Sequence, residues 1–290
     1  MNLQRFIDAA GPLRALAVTV WKDGAEIARH EWEPVLRRNI YSASKSFTSC
    51  AVGIAQREGL LSLDEKLTDV FAAELPGHVS ENLAKATVRD LLTMCLGQTQ
   101  GWLMGAQRVL LEEDDWVKAA LSYPFEYAPD TKFVYNNVGP YLAGVLVQRR
   151  AGCDLVSYLM PRLFEPLGIK RPTWETDPLG RTFGASGLML TVDELARLGR
   201  LYLQDGVWNG RRLVPADWVR QSTSVQADNG AFGYGYQFWG GPCGSFRADG
   251  MYGQFSFIIR DKNAVVAIAS ESRQADKLIE AVFEEIYPQL

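Results

Sequence analysis

The stretch Tyr41-Ser42-Ala43-Ser44-Lys45-Ser46-Phe47 opens a helical pattern and holds a serine and a lysine three positions apart. Residues at this spacing lie one helical turn apart on the same face, so the Ser42 hydroxyl can point toward the Lys45 amine. The first N–H groups of a helix have no helical acceptors and face the same space. A nucleophile, a candidate base and an electropositive pocket therefore arise from one helix start. This combination predicts covalent acyl transfer on Ser42.

Two further segments support this interpretation. By itself, Ser-x-x-Lys occurs by chance in chains of this size, and its alternative meaning is a serine N-cap followed by an exposed lysine. Tyr135-Asn136-Asn137 stands at the head of another helical pattern, and residues 247–254 form a glycine-containing segment beside strand-like sequence. The three segments together favour catalysis, with Tyr135 as a third candidate catalytic residue.

Other catalytic chemistries lack the residues that they need. The only histidines are His30, in a strand-like segment, and His78, in a polar loop, and there is no Gly-x-Ser-x-Gly elbow for a Ser-His-Asp triad. Phosphate-loop and dinucleotide-binding fingerprints are missing, and the four scattered cysteines form no Cys-x-x-Cys pair. We therefore expect neither a metal nor an organic cofactor.

The composition and charge limit which binding partners and which cellular compartment can be expected. The 290 residues are 47% hydrophobic and 22% charged, which is ordinary for a globular chain with a large core. A formal charge of −4 gives no basic footprint for nucleic acid or an anionic membrane. The N-terminal sequence lacks the apolar core of a secretory signal, and no stretch is long enough to span a bilayer. We expect a cytoplasmic protein that acts on a small molecule, and the oligomeric state stays open.

The order of predicted elements favours a mixed α/β fold of the α+β type. A short helix is predicted at residues 3–10, and an Asp23-Gly24 hairpin signal separates the first two strand-like segments. The predicted strands cover residues 15–21, 26–32, 234–239, 253–260 and 264–271. The helical patterns after Ser42 cover residues 87–94, 113–121, 138–150, 155–163, 192–203 and 276–286.

An antiparallel sheet built from both ends of the chain, flanked by helices and interrupted by an inserted all-α domain, fits this order best. The predicted division assigns residues 1–61 and 221–290 to a discontinuous sheet domain, and residues 62–220 to a mostly helical domain. The active site is expected in the cleft between the two.

Blocks along nearly the whole chain resemble serine β-lactamases and penicillin-binding proteins. Within this superfamily, the chain is most similar to the class C β-lactamase-like esterases and amidases. The similar blocks are YSASKSFTS (41–49), ATVRDLLTMCLG (86–97), FVYNNVGPYLAGVLVQRRAG (133–152), LFEPLGI (163–169), SGLMLTVDELARLGRLYLQDG (186–206) and GYGYQFW (233–239). The resemblance implies a β-lactamase/transpeptidase-like fold and a serine hydrolase.

The resemblance also implies a role for each candidate residue. Ser42 would be the acylated nucleophile, Lys45 its proton acceptor or relay, and Tyr135 the general base that returns protons during catalysis. Asn137 would hydrogen-bond either an amide-like group of the substrate or Lys45.

The third motif of the family is Lys or His, then Thr or Ser, then Gly on a strand, and Ala248-Asp249-Gly250 falls at its place. The resemblance implies that Met251, after the glycine, supplies an oxyanion N–H together with Ser42. Tyr252, beside it, is expected to line the cleft.

This motif departs from the family pattern in its charge. No cation occupies it, Asp249 would repel a substrate carboxylate, and Arg247 is expected to point to the other side of the strand. The segment Tyr252-Gly253-Gln254-Phe255 resembles the "GGQ" stretch of family amidases and esterases. These features favour a carboxylesterase or amidase. The alternatives are a β-lactamase or D-Ala-D-Ala carboxypeptidase, and a catalytically weak relative that binds a ligand in the same cleft.

Overall fold

The computed structural model describes residues 1–290 and contains strands from both ends of the chain. The strands are β1 (Ala15–Lys22), β2 (Ala25–Glu31), β3 (Arg38–Asn39), β4 (Met189–Leu190), β5 (Val207–Trp208), β6 (Arg211–Arg212), β7 (Trp239–Gly240), β8 (Phe246–Gly250), β9 (Gln254–Ile259) and β10 (Ala264–Ser270). Six of them form an antiparallel sheet in the order β2-β1-β10-β9-β8-β7. The N-terminal hairpin thus joins the C-terminal meander through β1 and β10, as predicted.

Helices lie before, between and after these strands. They are α1 (Gln4–Ala10), α2 (Ser44–Arg57), α3 (Leu67–Val70), α4 (Glu81–Lys85), α5 (Val88–Thr93), α6 (Gly105–Arg108), α7 (Trp116–Ser122), α8 (Val138–Ala151), α9 (Leu155–Leu159), α10 (Val192–Leu203), α11 (Ala216–Ser222) and α12 (Ala275–Ala281). The predicted mixed fold, an antiparallel sheet flanked by helices, is confirmed. None of these helices combines the length and the apolar character needed to cross a membrane.

Both faces of the sheet are covered, so its central strands are buried on both sides. Val18 of β1 faces a core that includes Phe6 of α1 and Leu278 of α12. The neighbouring Ala17 points to the opposite face and packs with Ala196 of α10. This alternation follows from the pleat of a strand, which sends successive side chains to opposite faces. The apolar character of β1 is continuous for that reason.

The helix α2 is the central element of the largest core. Its residues 44–55 are all buried, so it is enclosed by other elements rather than lying at a surface. A 3₁₀ turn over Tyr41–Ala43 precedes it. The helix therefore starts two residues later than the sequence pattern predicts, and Ser42 lies in the tight turn that leads into it.

The strand predicted for residues 234–239 is wrong. Only Trp239 and Gly240 form a strand, because Gln237 has a positive φ of 66° and the Gly235 N–H donates to the Phe238 carbonyl at 2.9 Å. The chain thus turns back on itself at this point. The aromatic alternation that suggested a strand arises because Tyr234, Tyr236 and Phe238 are all buried within the turn.

The division into a sheet domain and a helical domain stays a prediction. The helix α10 falls within the segment predicted to be helical, yet it packs against the sheet: its Gly199 approaches Ser256 of β9 and Val265 of β10. We propose that the site lies where the C-terminal end of β8 meets the helices around α2.

Candidate active site

The Lys45 side chain lies at the centre of the site and is only 1% exposed. Its Nζ is 3.0 Å from Ser42 Oγ, 2.7 Å from Asn137 Oδ1 and 2.8 Å from the Ala185 carbonyl oxygen. An ammonium group has three N–H donors and no acceptor, whereas a neutral amine has two donors and a lone pair. Asn137 and Ala185 together accept from two donors. In the neutral form, the lone pair therefore faces the Ser42 hydroxyl.

The surroundings of Lys45 favour this neutral form. Burial lowers the pKa of Lys45 well below its ordinary value, and the Arg108 guanidinium lowers it further, while the Asp249 carboxylate acts in the opposite direction. Desolvation is the dominant cause because the charged amine loses its hydration inside the protein. The amine is thus able to accept a proton from Ser42.

Tyr135 lies on the other side of the same space, with the Lys45 Nζ 5.0 Å from its ring centroid. Burial raises the pKa of the Tyr135 hydroxyl. The neighbouring Ser42 hydroxyl opposes this shift, and the Asp249 carboxylate adds to it. The Trp239 ring, 5.2 Å away between centroids, holds the tyrosine in place. The neutral phenol is therefore the favoured form, and it can donate or relay a proton more readily than it can act as a phenolate.

The two asparagines before α8 have different tasks. Asn136 Oδ1 accepts a hydrogen bond from the Gly139 N–H at 2.9 Å, so Asn136 caps the helix. Asn137 receives the Lys45 amine on Oδ1 and donates through Nδ2 to the Leu103 carbonyl at 2.9 Å. Of the two partners predicted for Asn137, the structure thus places Lys45 within hydrogen-bond distance.

The Ala185 carbonyl is a part of the site that sequence reasoning does not find. Thr48, on α2 close to Lys45, donates to the Gly184 carbonyl at 2.6 Å and so holds this segment against the helix. A backbone carbonyl can come from any residue type, so it leaves no signal in the sequence. The only signal nearby is the family-like block that starts at Ser186.

The strand β8 brings its glycine directly against the nucleophile turn. A Cβ at Gly250 would lie only 2.1 Å from the Ile40 carbonyl oxygen, so this close approach requires glycine. Beyond the strand, the Tyr252 ring meets the Tyr41 ring edge to face, with 5.3 Å between centroids. These two contacts fix the turn after β8 beside the turn that carries Ser42.

Two backbone donors are free at this junction. The N–H groups of Ser42 and Met251 donate to no acceptor within the protein. The Met251 side chain itself is exposed, so the backbone is the part of this residue that the fold positions. Preorganised N–H groups of this kind can stabilise the negative oxygen of a tetrahedral intermediate.

Arg247 and Asp249 form an ion pair beside the site. Arg247 Nε donates to Asp249 Oδ2 at 2.8 Å, and its Nη1 donates to the Gly240 carbonyl at 2.9 Å. Arg247 lies on the opposite side of β8 from Ala248, as the alternation of a strand predicts, and it therefore shares a face with Asp249. Burial raises the pKa of the Asp249 carboxyl, and Arg247 partly offsets the shift. The repulsion of a substrate carboxylate by Asp249 is therefore weaker than the sequence suggests.

Arg108 is a further charged group near the site that carries no motif. Its Nη1 donates to Glu175 Oε1 at 2.5 Å, and its guanidinium lies 4.1 Å from the centroid of the Phe183 ring. The positive charge of Arg108 contributes to the low pKa of the Lys45 amine. No group of three or more His, Cys, Asp or Glu side chains is placed to hold a metal ion.

The serine nearest to Ser42 in the helix has a structural task. Ser44 is fully buried, and its Oγ accepts a hydrogen bond from the Leu188 N–H at 3.1 Å. Ser42, by contrast, is partly exposed and lies next to Lys45. The geometry therefore distinguishes the two serines of the motif.

Residues 3–284 match the family model described as beta-lactamase. The chain belongs to the beta-lactamase family. It is 30% identical over 171 residues to the D-aminopeptidase of Brucella anthropi, and the aligned region covers 53% of this chain and 31% of that protein. It is 26% identical over 256 residues to the 6-aminohexanoate-dimer hydrolase of Paenarthrobacter ureafaciens, and the aligned region covers 79% of this chain and 65% of that protein. The predicted family is confirmed.

A solved structure agrees with this assignment. The octameric penicillin-binding protein homologue from Pyrococcus abyssi has a TM-score of 0.76 at 20% identity, with 97% of this chain and 76% of that chain covered. This likeness confirms the fold. The chain spans between 31% and 65% of the length of the two curated relatives named above.

Proposed function

We propose that the protein is a serine carboxylesterase or amidase that works through an acyl-enzyme on Ser42. The observation that carries this proposal is the buried Lys45 amine, 3.0 Å from Ser42 Oγ, with two other oxygens already accepting its N–H groups. A serine hydroxyl is a poor nucleophile until a neighbouring group takes its proton. The neutral Lys45 is placed to do so.

In the acylation step, Ser42 Oγ attacks the carbonyl carbon of the substrate while its proton passes to the lone pair of Lys45. The N–H groups of Ser42 and Met251 bind the oxygen that becomes negative. When the tetrahedral intermediate collapses, the bond to the alcohol or amine breaks. That leaving group takes its proton from the Tyr135 hydroxyl, which recovers one from Lys45.

Deacylation runs through the same groups in reverse. A water molecule attacks the acyl carbon, and its proton passes to the Tyr135 and Lys45 pair. The bond between the acyl carbon and Ser42 Oγ breaks, and the serine oxygen takes that proton back. The products are a carboxylic acid and the regenerated enzyme.

The charge pattern supports a substrate without a carboxylate at the third motif. Ala248 stands where the family has a cation, and the nearby Arg247 is already paired with Asp249. The names of the two curated relatives, an aminopeptidase and an aminohexanoate-dimer hydrolase, support a small amide or peptide-like substrate. The alternative of a β-lactamase or D-Ala-D-Ala carboxypeptidase needs an anchor that this site lacks.

A substrate panel tests the proposal. It compares p-nitrophenyl esters, linear amides, a penicillin and a chromogenic cephalosporin, with wild type beside Ser42→Ala. We expect short neutral esters to exceed penicillins in kcat/KM by about 10²-fold, and Ser42→Ala to lose about 10⁴-fold or more. Penicillin turnover equal to ester turnover would instead establish the β-lactamase alternative.

Covalent labelling provides an independent check. A fluorophosphonate should add once, to Ser42, as shown by intact-protein mass spectrometry and peptide mapping. Ser44→Ala is the matched control, because it removes the neighbouring buried serine and should keep the label. Labelling that persists in Ser42→Ala would refute the assignment of the nucleophile.

A further inference from the structure

A pocket of about 280 Å³ lies where the end of β1, the turn between β9 and β10 and the C-terminal half of α10 meet. Its volume is just below the range of about 300–1,000 Å³ that is typical of sites for drug-sized ligands, so it suits a small molecule. No carboxylate lines it. Two indoles, one guanidinium and three side-chain amides dominate its wall: Trp21, Trp208, Arg200, Gln204, Asn209 and Asn263.

This pocket is separate from the catalytic centre. The strand β9 runs from Gln254, which pairs with Gly250 beside the nucleophile turn, to Ile259, which pairs with Ala264. These two ends of β9 are about 17 Å apart, at the rise of a strand. Asn263 lines the pocket and directly precedes Ala264, so the pocket lies at the far end. A ligand bound there does not contact the reacting atoms.

The guanidinium of Arg200 lies over both indole rings of the pocket. Its central carbon is 3.7 Å from the ring centroid of Trp21 and 4.8 Å from that of Trp208. Trp21 also packs against the apolar cluster that contains Ala196, and Trp208 packs against the largest core. The rings are therefore fixed by the fold. A guanidinium held against aromatic faces presents its N–H groups at its edges.

This guanidinium has no acceptor within the protein. A guanidinium carries five N–H donors and no acceptor, yet Arg200 forms neither a hydrogen bond nor an ion pair, and its Nε is covered by surrounding atoms. Arg29 and Arg260, by contrast, pair with Glu26 and Asp205. Because covered polar groups in native proteins are normally hydrogen-bonded, an arginine in this state indicates a partner from outside the chain.

The charges around Arg200 favour an anionic partner. Burial lowers the pKa of Arg200, and the Arg197 guanidinium adds to this shift, while the Glu26 carboxylate opposes it. Arg197 donates to backbone carbonyls, which leave its charge unbalanced. Glu26 is already bound through both of its oxygens by Arg29. An anion against Arg200 would therefore offset the cost of removing the guanidinium from water.

We propose that this pocket binds a small organic carboxylate, whose oxygens accept from the edge of the Arg200 guanidinium while its apolar body contacts Trp21 and Trp208. A planar carboxylate matches the fork of a guanidinium, and such charge-assisted hydrogen bonds are among the stronger ones in proteins. The indole walls distinguish this ligand from inorganic phosphate, which would use the charge alone. The inference goes beyond the proposed function and does not depend on it.

Binding is tested by NMR at constant pH and ionic strength, with the indole N–H signals of the eight tryptophans as the readout. Trp21→Phe and Trp208→Phe identify the two pocket signals, and Trp239→Phe identifies the signal next to Tyr135. The probes are benzoate, hexanoate, uncharged benzamide and inorganic phosphate. We expect a carboxylate to shift both pocket signals with a Kd of about 1 mM or below, and benzamide and phosphate to bind at least about tenfold more weakly.

Variants of Arg200 assign the binding to its guanidinium. Arg200→Gln should weaken carboxylate binding by about tenfold or more, and Arg200→Lys, which keeps the charge but loses the planar fork, by about fivefold. Arg211→Gln is the matched control, because Arg211 is exposed, lies opposite Trp208 in the β5–β6 hairpin and does not line the pocket. It should bind within about twofold of wild type. An unshifted Trp239 signal reports that each variant is folded, and Arg200→Lys decides if Arg200→Gln does not fold.

Four results would overturn the inference. Neither carboxylate shifts the pocket signals, or a carboxylate shifts only the Trp239 signal and so binds in the catalytic cleft instead. Benzamide or phosphate binds as tightly as the carboxylates, which would remove the charge or the apolar body from the argument. Arg211→Gln weakens binding as much as Arg200→Gln, so that the charge of the surface rather than Arg200 attracts the anion. Arg200→Lys binds as wild type does, which would exclude recognition by the guanidinium fork.

Discussion

Gly250→Ala is the substitution whose effect follows most directly from the structure. The added methyl carbon would lie 2.1 Å from the Ile40 carbonyl oxygen and 3.2 Å from its carbonyl carbon. Two such atoms need a separation of about 3 Å or more, so β8 and the nucleophile turn must move apart by about 1 Å. Both groups in conflict are backbone, so no side-chain rotation can relieve the contact.

This displacement separates the two proposed oxyanion donors. Met251 follows Gly250 directly, and Ser42 lies two residues beyond Ile40, so the movement opens the space between their N–H groups. Loss of one oxyanion donor costs about 10²–10³ in rate, and a misplacement of about 1 Å can cost about 10²-fold. We therefore expect kcat to fall by about 10²- to 10³-fold, and the free energy of unfolding to fall by about 1–3 kcal/mol.

The assay is steady-state hydrolysis of p-nitrophenyl acetate, with urea denaturation to measure the loss of stability. Gly77→Ala is the matched control, because a Cβ at that exposed position would meet nothing within 4 Å. The control should keep wild-type kcat and stability. A Gly250→Ala enzyme whose kcat stays within about threefold of wild type would show that the oxyanion site is not at this junction.

Two further predictions follow from the groups around Lys45. The proposed mechanism needs the neutral Lys45 amine, so kcat/KM should fall at low pH as Lys45 takes up a proton. Arg108→Gln removes a charge that lowers the pKa of Lys45 and should move this acid limb of the pH profile to higher pH. Asp249→Asn removes a charge that raises the pKa and should move the limb to lower pH. A limb that moves in the same direction in both variants would refute Lys45 as the titrating base. Ser44→Ala should lower the free energy of unfolding by about 1–3 kcal/mol in urea denaturation, because it leaves the buried Leu188 N–H without its acceptor, while fluorophosphonate labelling persists.

Elements set by local interactions can be predicted from the sequence. The helix predicted at residues 192–203 is α10 to the residue, because Thr191 and Glu194 form a capping box that fixes its start. Asp23 and Gly24 both adopt positive φ, of 50° and 82°, as the hairpin signal requires. The proximity of Ser42 and Lys45 likewise follows from their spacing along one turn.

Features that depend on distant segments were not predictable in this way. The Ala185 carbonyl lies 140 positions from Lys45 in the chain, and its contribution depends on the path of the backbone. The effect of Arg108 on the pKa of Lys45 likewise depends on the folded chain, in which the Arg108 guanidinium contacts Glu175 and Phe183. The pairing of Arg247 with Asp249 could have been predicted, since the two residues are two positions apart in a strand and therefore share a face.

The proposed reactivity of the site and its cost to folding have the same cause. Burial keeps the pKa of Lys45 below its ordinary value, so the folded protein binds fewer protons than the unfolded chain between that lowered pKa and about 10.4. Stability therefore rises with pH across this window, and near neutral pH the buried lysine destabilises the fold. The surrounding core, in which every residue of α2 from Ser44 to Ala55 is buried, offsets this penalty. Strongly shifted pKa values cluster at functional sites, so the burial of this amine next to Ser42 supports the proposed role of Lys45 as the base.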